Sequence, residues 1–414
     1  MHLDRPAAQR AWFGVRSHSP RTDLGGRATR RARWRFRAAG YTLLILLTGT
    51  NLPTPLYRGY EGRFGFSPLV VTLIFAVYVA ALVPSLLVAG PLSDAIGRRS
   101  VLVPSVALAT LGSLVFALAE GTGWLVAARI LQGLALGAAT GPLTAALTEL
   151  EPTGNHRKAA LVSTAVTMGG LGLGPVLAGA LAQYAPAPLV LPFVVEIVLL
   201  AFSAVAITML PATRTTARWR PRRPEIPAAM RAVFATSGTA GAAAFAVIGL
   251  FLTLVPAYVA TLSGSTNLLL GGAAVALLPA GSALAQLVGY GRQARTLELR
   301  GLPLLAVGLG LLALAGAMSS LPLLLVAAVT AGVGHGLVFL GSLTAINRAA
   351  PFDRHADVLS SFYVLLYLGV GVPVIGVGLL ATVVSLLAAV RYFACAVAVL
   401  CLVVLAALVR RRDS

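Results

Sequence analysis

Three ionisable residues lie inside long apolar stretches of the sequence: Arg129, Glu196 and His335. An ionised side chain inside a membrane costs at least about 2.5–3.5 kcal/mol, so residues of this kind usually have a partner or a function. A guanidinium binds acceptors and carboxylates, and a histidine changes its charge near neutral pH. These residue types therefore predict buried charge pairing and, for the histidine, proton exchange.

Each of the three residues also has a purely structural interpretation. Arg129 lies roughly 9 Å from the predicted outer edge of its helix, so its head group could extend to the membrane surface. In the functional interpretation, Thr50 and Asn51 lie at a similar depth and accept hydrogen bonds from its guanidinium. Glu196 could stay protonated or pair structurally, and His335, between two glycines, could serve packing alone.

The remaining sequence gives no pattern for catalysis or metal binding. Cys395 and Cys401 lie in one apolar run, about 600° of helical turn apart, which predicts packing residues and no disulfide. No Cys/His cluster has metal spacing, and no Ser/His/Asp set, carboxylate pair or phosphate-binding loop is present. We therefore expect neither an enzyme nor a metal, a cofactor or an ATP-driven pump.

The composition places these residues in a membrane protein. Of 414 residues, 58% are hydrophobic and 11% are charged, whereas a soluble protein is about 45–50% apolar and about 25% charged. A spanning helix needs about 20 mostly apolar residues. Twelve such runs are present, at 38–56, 68–89, 101–119, 123–145, 159–183, 190–210, 234–262, 268–289, 301–319, 322–346, 358–386 and 388–409.

The basic residues predict the orientation of these spans. The net charge is +19, and 28 of the 32 Lys and Arg residues lie in segments on the same side as the N-terminus. This bias predicts that both termini are cytoplasmic. The first 37 residues lack the apolar region of a secretory signal, and Asp4 and Asp23 disfavour a transit peptide. Because the arginines follow topology, nucleic acid is not an expected partner.

The runs divide into two halves that echo each other. The predicted units are an Arg-rich cytoplasmic tail at 1–37, a six-helix bundle at 38–210, an extended, Pro- and Arg-rich cytoplasmic linker at 211–233, a second six-helix bundle at 234–409, and a basic tail at 410–414. Five residues recur at a shift of roughly 199: Gly133 as Gly332, Gly137 as Gly336, Pro152 as Pro351, Ser163 as Ser361 and Pro175 as Pro373. Unless this is chance similarity between Gly-rich segments, it indicates two parallel repeats with a substrate site between them.

Three short motifs accompany the spans. The hairpin between the second and third spans reads GPLSDAIGRR at 90–99, where Asp94 and Arg98 can pair if the stretch is helical. Asp94 could also face the N-terminus of a helix from the other half. The fourth span reads LVAARILQGLALG at 125–137, and the fifth reads GLGLGPVLAG at 170–179. The glycines predict close helix contacts, and Pro175 predicts a bend.

These three motifs resemble signatures of the major facilitator superfamily. The resemblance implies an all-α integral membrane fold with twelve transmembrane helices in two pseudo-symmetric six-helix bundles that alternate access to a central site. It also implies proton coupling through Arg129. The implied conformational latch consists of Gly90, Asp94, Gly97, Arg98 and Arg99. One departure from the family pattern is Ala95, which stands where the family has a basic residue.

The fifth-span motif is similar to that of proton-coupled antiporters. In that group, a kinked fifth helix packs against the other half and resists leak. The residues that carry this resemblance are Gly170, Gly174, Pro175 and Gly179, while Ala178 replaces a family glycine. A Gly-rich helix that serves packing alone is the simpler interpretation of the same residues.

The predicted cavity is aromatic and sparsely polar. Its candidate residues are Asn51, Tyr57, Tyr78, Gln132, Tyr258, Gln286, Tyr363 and Tyr367. Aromatic faces with few polar groups suit apolar or lipophilic cationic ligands, whereas an anionic substrate would need paired arginines. We therefore expect a monomeric plasma-membrane exporter of lipophilic or cationic small molecules that is driven by protons, with the lipid bilayer as its environment and with Arg129, Glu196 and His335 as coupling candidates.

Two other functional classes remain open from the sequence. A proton symporter or a narrow-substrate metabolite exporter would have the same fold and the same intramembrane charges. A non-transporting sensor or scaffold would usually carry a soluble output domain, and it gives no reason for the buried arginine.

Overall fold

The computed structural model describes residues 22–211, 226–351 and 354–410, and the regular elements in these ranges are helices. The helices are α1 Thr22–Asn51, α2 Pro53–Phe64, α3 Pro68–Ile96, α4 Arg98–Ala117, α5 Thr122–Glu149, α6 His156–Tyr184, α7 Leu191–Thr208, α8 Ala228–Ser263, α9 Leu268–Gly289, α10 Ala294–Ala317, α11 Leu321–Ala349, α12 His355–Val383 and α13 Leu386–Arg410. Helix α8 begins with a 3₁₀ turn and contains one π-helical turn, Phe234–Gly238.

Eleven helices of the described chain, α3 to α13, are long and apolar enough to cross a membrane. They coincide with the second to twelfth predicted runs, although α10 begins earlier than expected, at Ala294. The first predicted run is divided between α1 and α2. Pro53 opens α2, and because proline lacks an N–H group it interrupts the helical hydrogen bonds at this point.

Two predicted segment boundaries differ from the structure. Helix α1 begins at Thr22, so residues 22–37 of the predicted tail continue the first membrane helix, as arginine, a good helix former, allows. The predicted extended linker at 211–233 is helical from Ala228, where Pro227 precedes the first turn. A proline at a helix start costs no hydrogen bond. Residues 1–21, 212–225 and 411–414 lie outside the described residues.

The helices pack as two bundles that meet along two pairs of helices. In the first bundle α5 packs against α3 and α4, and α1 packs against α6. In the second bundle α11 packs against α9 and α10, and α10 packs against α13. Between the bundles, α6 contacts α9 and α3 contacts α12. These two pairs therefore make the most extensive contacts between the bundles.

Glycines set the same close packing in both bundles. On α5 and α11, a methyl group at any of four glycines would meet a backbone carbonyl oxygen of the facing helix. The pairs are Gly133 with Tyr78, Gly137 with Leu82, Gly332 with Leu278 and Gly336 with Ser282. Small residues of this kind let membrane helices approach closely. The correspondence agrees with the repeat read from the sequence.

Candidate functional site

The guanidinium of Arg129 lies inside the first bundle, and the residue is only 1% exposed. Its Nε donates to Tyr57 Oη at 2.8 Å. Its Nη1 donates to the carbonyl oxygen of Thr50 at 2.6 Å and to Gln132 Oε1 at 3.1 Å. Gln132 Nε2 in turn donates to the carbonyl oxygen of Gly49 at 3.3 Å. The arginine thus binds both helices of the broken first span.

The break between α1 and α2 explains this arrangement. In a continuous helix the N–H of residue 53 would bond to the carbonyl of Gly49, but Pro53 has no N–H. The Leu52 N–H, at 3.2 Å, and Gln132 Nε2 donate to this carbonyl instead. A cation is also favoured at the C-terminal end of a helix, where the macrodipole is negative. Arg129 and Gln132 therefore cap the end of α1 inside the bundle.

Aromatic rings surround the guanidinium. The centroids of Tyr57, Phe75, Tyr78 and Phe116 lie 5.7, 6.0, 5.4 and 5.8 Å from Arg129 Cζ. Such contacts stabilise a cation that has left water. The side chain therefore does not extend to the membrane surface, and it is held by hydrogen bonds and rings within the bundle.

Glu196 on α7 lies beside the same part of α1. It is 2% exposed, and a methyl group on Gly49 would overlap its carboxyl group. The Ser113 hydroxyl on α4 lies next to this carboxyl, and Arg129 is close enough to interact with its charge. Glu196 Oε2 has no hydrogen-bond partner among the described residues. We refer to Arg129, Gln132, Tyr57, Gly49 and Glu196 as the Arg129 cluster.

The predicted acceptors for Arg129 are partly confirmed. Thr50 accepts through its backbone carbonyl and not through its hydroxyl. Asn51 instead donates from Nδ2 to the Leu47 carbonyl at 2.8 Å and to Thr50 Oγ1 at 3.2 Å. The difference arises because the helix break frees carbonyl groups at this depth, which side-chain composition does not reveal.

His335 forms a second polar cluster in the other bundle. Its Nδ1 lies 2.8 Å from Ser282 Oγ, and Gln286 Nε2 donates to the same Oγ at 3.0 Å. The ring centroids of Phe245 and Phe339 lie 5.8 and 6.2 Å from that of the imidazole. We refer to His335, Ser282 and Gln286 as the His335 cluster. It joins α9 to α11 and lies against aromatic side chains.

Aromatic side chains connect the two clusters. Tyr367 of α12 meets Phe245 edge-on at 6.3 Å, and one turn further along α12 Gly371 lies next to Val79, the neighbour of Tyr78 on α3. Tyr78 in turn lies next to Arg129. The structure therefore brings five of the predicted cavity residues together with the two clusters, namely Tyr57, Tyr78, Gln132, Gln286 and Tyr367.

Tyr258 lies apart from that group. Its hydroxyl donates to the Leu312 carbonyl of α10 at 3.3 Å, and a methyl group on Gly316 would meet the same hydroxyl. It is 1% exposed and belongs to the packing between α8 and α10. Its place within the second bundle is a feature of helix packing that residue type does not indicate.

The 90–99 hairpin is a sharp turn between two helices. Helix α3 ends at Ile96 and α4 begins at Arg98, with Gly97 at φ 94°, a conformation that favours glycine. The stretch is therefore not one helix, and the expected i, i+4 geometry between Asp94 and Arg98 is absent. Arg98 forms a two-pronged ion pair with Glu149 at the end of α5, with Nε to Oε2 at 2.9 Å.

The glycine-rich motif of α6 faces two neighbours. Gly170 and Gly174 pack against α1 of the same bundle, where a methyl group on Gly170 would lie 2.6 Å from Leu47 Cβ. On the other face, Pro175 meets Gly272 of α9, and a methyl group on Gly179 would lie 2.6 Å from the Leu268 carbonyl. The expected contact with the other half is present, but only part of the motif makes it.

The structure also buries an acidic residue that lies outside the predicted spans. Glu298 on α10 is 2% exposed and accepts a hydrogen bond from Ser342 Oγ at 3.1 Å. It lies in the span because α10 starts at Ala294. The sequence does contain a signal for this, since Ala294, Leu297 and Gly301 stand at i, i+3 and i+7, and Glu298 at i+4 belongs to the same buried helical face.

Two packed bundles of membrane helices, each with a buried polar cluster of its own, form a multi-pass membrane protein, and the family match identifies it as a transporter and not an enzyme. Residues 39–372 match the family model described as Major Facilitator Superfamily, and the chain belongs to this family. Known structures agree with this fold. The human organic anion transporter MFSD10 is 16% identical, with a TM-score of 0.66 over 91% of this chain and 99% of its own. A peptide transporter, POT, is also 16% identical, with a TM-score of 0.75 over 91% of this chain and 93% of its own.

Curated bacterial relatives resemble one part of the chain. A protein of Cronobacter sakazakii named as a candidate multidrug resistance protein, MdtD, is 30% identical over 155 residues, which cover 37% of this chain and 32% of the relative. MdtD of Salmonella newport is also 30% identical over 155 residues, 37% of this chain and 33% of the relative. The match thus spans about a third of the length of these relatives.

Proposed function

We propose that this transporter exports lipophilic or cationic small molecules across a bacterial inner membrane in exchange for protons. The observation that carries the proposal is the Arg129 cluster, in which a buried guanidinium lies near the carboxyl group of Glu196. The multidrug names of the bacterial relatives support the substrate class. In this proposal the chain acts as a monomer and uses the proton gradient without a cofactor.

The coupling step is a change in the charge of Glu196. One proton binds the carboxylate and gives the neutral acid, and its release restores the negative charge. Only the ionised form is attracted by Arg129, because an opposite charge stabilises a buried carboxylate. A lipophilic cation near the cluster competes with the proton for the same negative charge, so each ligand weakens the binding of the other.

The contacts between the bundles suit alternating access. Helices α6 and α9 touch near one end, where the Leu268 N–H donates to Gln183 Oε1 at 2.9 Å. Near the other end, Arg157 Cζ lies 5.8 Å from the Tyr290 ring centroid. Rocking of one bundle against the other changes these contacts in opposite directions. The hairpin with Gly90, Asp94, Gly97 and Arg99 would then latch one of the two states.

One alternative function shares this site. A proton symporter of the same family would accumulate its substrate inside cells when the proton gradient is present, whereas an exporter would deplete it. The direction of substrate movement therefore separates the two. A sensor or scaffold would show no gradient-dependent movement of any substrate.

The test is efflux of ethidium, a fluorescent lipophilic cation, from bacteria that lack their own pumps. We expect protonophore-sensitive efflux for the wild type. Arg129→Ala removes the cation beside Glu196 and the donor to Tyr57, Thr50 and Gln132, so its efflux should fall to background. Glu196→Gln keeps the shape of the side chain but cannot ionise, so its residual transport should lose protonophore sensitivity.

Arg391→Ala is the matched control, because Arg391 is exposed and contacts the ring of Tyr392. It should retain wild-type efflux at equal protein levels in the membrane. Protonophore-sensitive efflux that survives both Arg129→Ala and Glu196→Gln would contradict the assignment of coupling to this cluster.

A further inference from the structure

The His335 cluster contains a buried polar atom that the chain leaves unsatisfied. Nε2 of His335 is inaccessible and has no hydrogen-bond partner in the described part of the chain. A buried polar group without a partner costs about 1–3 kcal/mol, and native proteins contain few of them. The ring contacts a hydroxyl and aromatic side chains, and no carboxylate of the described residues is among its partners. The Arg129 cluster, in contrast, includes the carboxyl group of Glu196.

The hydrogen bonds on the other edge of the ring decide which nitrogen carries the proton. Gln286 Nε2 donates to Ser282 Oγ at 3.0 Å, so the single hydrogen of that hydroxyl remains for another bond. The hydroxyl lies 2.8 Å from His335 Nδ1 and has no other acceptor among the described residues, so it donates its hydrogen to Nδ1. A neutral imidazole that accepts at Nδ1 has its hydrogen on Nε2. The unsatisfied atom is thus a hydrogen-bond donor.

The surroundings of this donor indicate what could bind there. Phe245 and Phe339 flank the imidazole, and Tyr367 extends the aromatic wall. Tyr367 lies on α12, which packs against α3 of the first bundle, with Gly371 of α12 next to Val79 of α3. The donor therefore belongs to an apolar, aromatic region at the contact between the two bundles, which is where a site for a small lipophilic ligand is expected.

We propose that His335 Nε2–H is a specificity-determining donor of the substrate site, and that this site selects lipophilic molecules with an exposed neutral acceptor such as a carbonyl oxygen. The proposal rests on the proposed export function and narrows its substrate class. An acceptor satisfies the buried donor, whereas a molecule without one leaves the donor unpaired and is disfavoured. Gln286 and Ser282 act as positioning residues, since they hold the hydrogen on Nε2.

The first test compares two ligands of one skeleton. Benzophenone has a carbonyl oxygen, and diphenylmethane has the same two rings without it. Binding of each is measured by equilibrium dialysis against purified protein in lipid nanodiscs, with empty nanodiscs as the blank. We expect the wild type to bind benzophenone about tenfold more tightly than diphenylmethane, which is the effect of one buried hydrogen bond.

Two amide variants provide a matched pair. The side-chain nitrogen of glutamine falls near the position of Nε2 in histidine, and that of asparagine falls near Nδ1. His335→Gln should therefore keep the preference for benzophenone, whereas His335→Asn should lose it. The affinity for diphenylmethane should change little in either variant. Equal preference for benzophenone in the wild type and both variants, or no preference in the folded wild type, would overturn the proposal.

A second test measures the tautomer without any ligand. The chain has five histidines, so the ¹⁵N imidazole spectrum of labelled protein is simple, and the signal absent from His335→Gln identifies His335. We expect a neutral ring with its proton on Nε2, and a mixture of both tautomers in Ser282→Ala. A proton on Nδ1 in the wild type would refute the argument.

The outcomes separate this proposal from the proposed function. If the wild type shows protonophore-sensitive efflux but His335→Asn still prefers benzophenone, export stands and the donor site is wrong. If His335 determines the preference for benzophenone but no proton-coupled efflux occurs in cells, the donor site stands and the export mechanism is wrong.

Discussion

The two bundles share their packing but differ in the polar groups that they bury. On α5 and α11, equivalent glycines press against the facing helix in each half. At a shift of roughly 199 residues, Arg129 corresponds to Ala328, and His335 corresponds to Leu136. At these positions the first bundle therefore buries a guanidinium, whereas the second buries a hydrogen-bonded histidine. Repetition of a fold fixes how helices approach each other and leaves the chemistry of each half free to diverge.

This difference suggests a division of labour between the halves. The Arg129 cluster contains groups that can exchange charge, and the His335 cluster contains groups that can recognise an acceptor. Tyr78 on α3 and Tyr367 on α12 belong to one of the helix pairs that join the two bundles. A ligand that binds at this contact meets both chemistries, which is how the energy source and the substrate can act on each other.

The largest expected effect tests the shared packing. Gly133→Ala and Gly332→Ala should each lower the thermal unfolding temperature strongly, because the new methyl group meets the backbone carbonyl of Tyr78 or Leu278. Such overpacking costs about 1–3 kcal/mol, occasionally more. Fluorescence-detected unfolding of the purified variants measures it.

Gly310→Ala is the control for that comparison, because nothing lies within 4 Å of the added methyl group. Alanine is favoured over glycine in a helix by about 0.5–1 kcal/mol, so this variant should be as stable as the wild type or slightly more so. If only one of the two bundle glycines proved sensitive, the packing of the halves would not be equivalent.

A smaller effect is expected from a change that reaches only the charged cluster. Gly49→Ala places a methyl group on the carboxyl of Glu196, and this side chain can move aside more easily than backbone. We expect a moderate loss of stability, about 1 kcal/mol, together with impaired proton-coupled efflux. Gly40→Ala on the same helix is the matched control, since its methyl group makes only ordinary contacts, the nearest at 3.7 Å. Normal coupling in Gly49→Ala would count against a role for this contact.

The smallest effect concerns a carboxylate in the loop between α5 and α6, which the corresponding loop of the second half lacks at that position. Glu151 precedes Pro152, whereas Ala350 precedes the corresponding Pro351. Burial opposes ionisation of Glu151, but bonds from Lys158 Nζ, from the N–H groups of Thr153 and Asn155, and from the Thr153 hydroxyl outweigh it and lower the pKa of the carboxyl from 4.5 to about 2.

Because the pKa is lower in the folded state, this carboxylate stabilises the fold fully above pH 4.5, and the stabilisation is lost as the pH falls toward 2. The unfolding temperature of Glu151→Gln should therefore be lower than that of the wild type near neutral pH. The difference between the two should shrink as the pH falls. Glu120→Gln, at an exposed carboxyl, serves as the control. A constant difference between wild type and Glu151→Gln from pH 7 to 3 would show that the carboxyl does not titrate in this way.

Much of the fold follows from the sequence because a membrane imposes simple rules. Runs of apolar residues must form helices that satisfy their own backbone groups, so the predicted and observed spans agree. The predicted helix boundaries are wrong where apolar residues alone do not mark the end of a helix. The break before Pro53 divides the first span, and the helical starts at Thr22 and Ala294 lie in polar sequence that helix propensity alone does not resolve.

The sequence by itself determined that Arg129, Glu196 and His335 would be buried in apolar helices, because their neighbours along the chain are apolar. Only the tertiary structure decided their partners. Helices α1, α5 and α7 meet at Gly49, and α9 meets α11 at His335, through contacts between residues far apart in the chain. A polar side chain takes its function from the groups that packing places within about 3 Å, and those groups are set by how the helices cross.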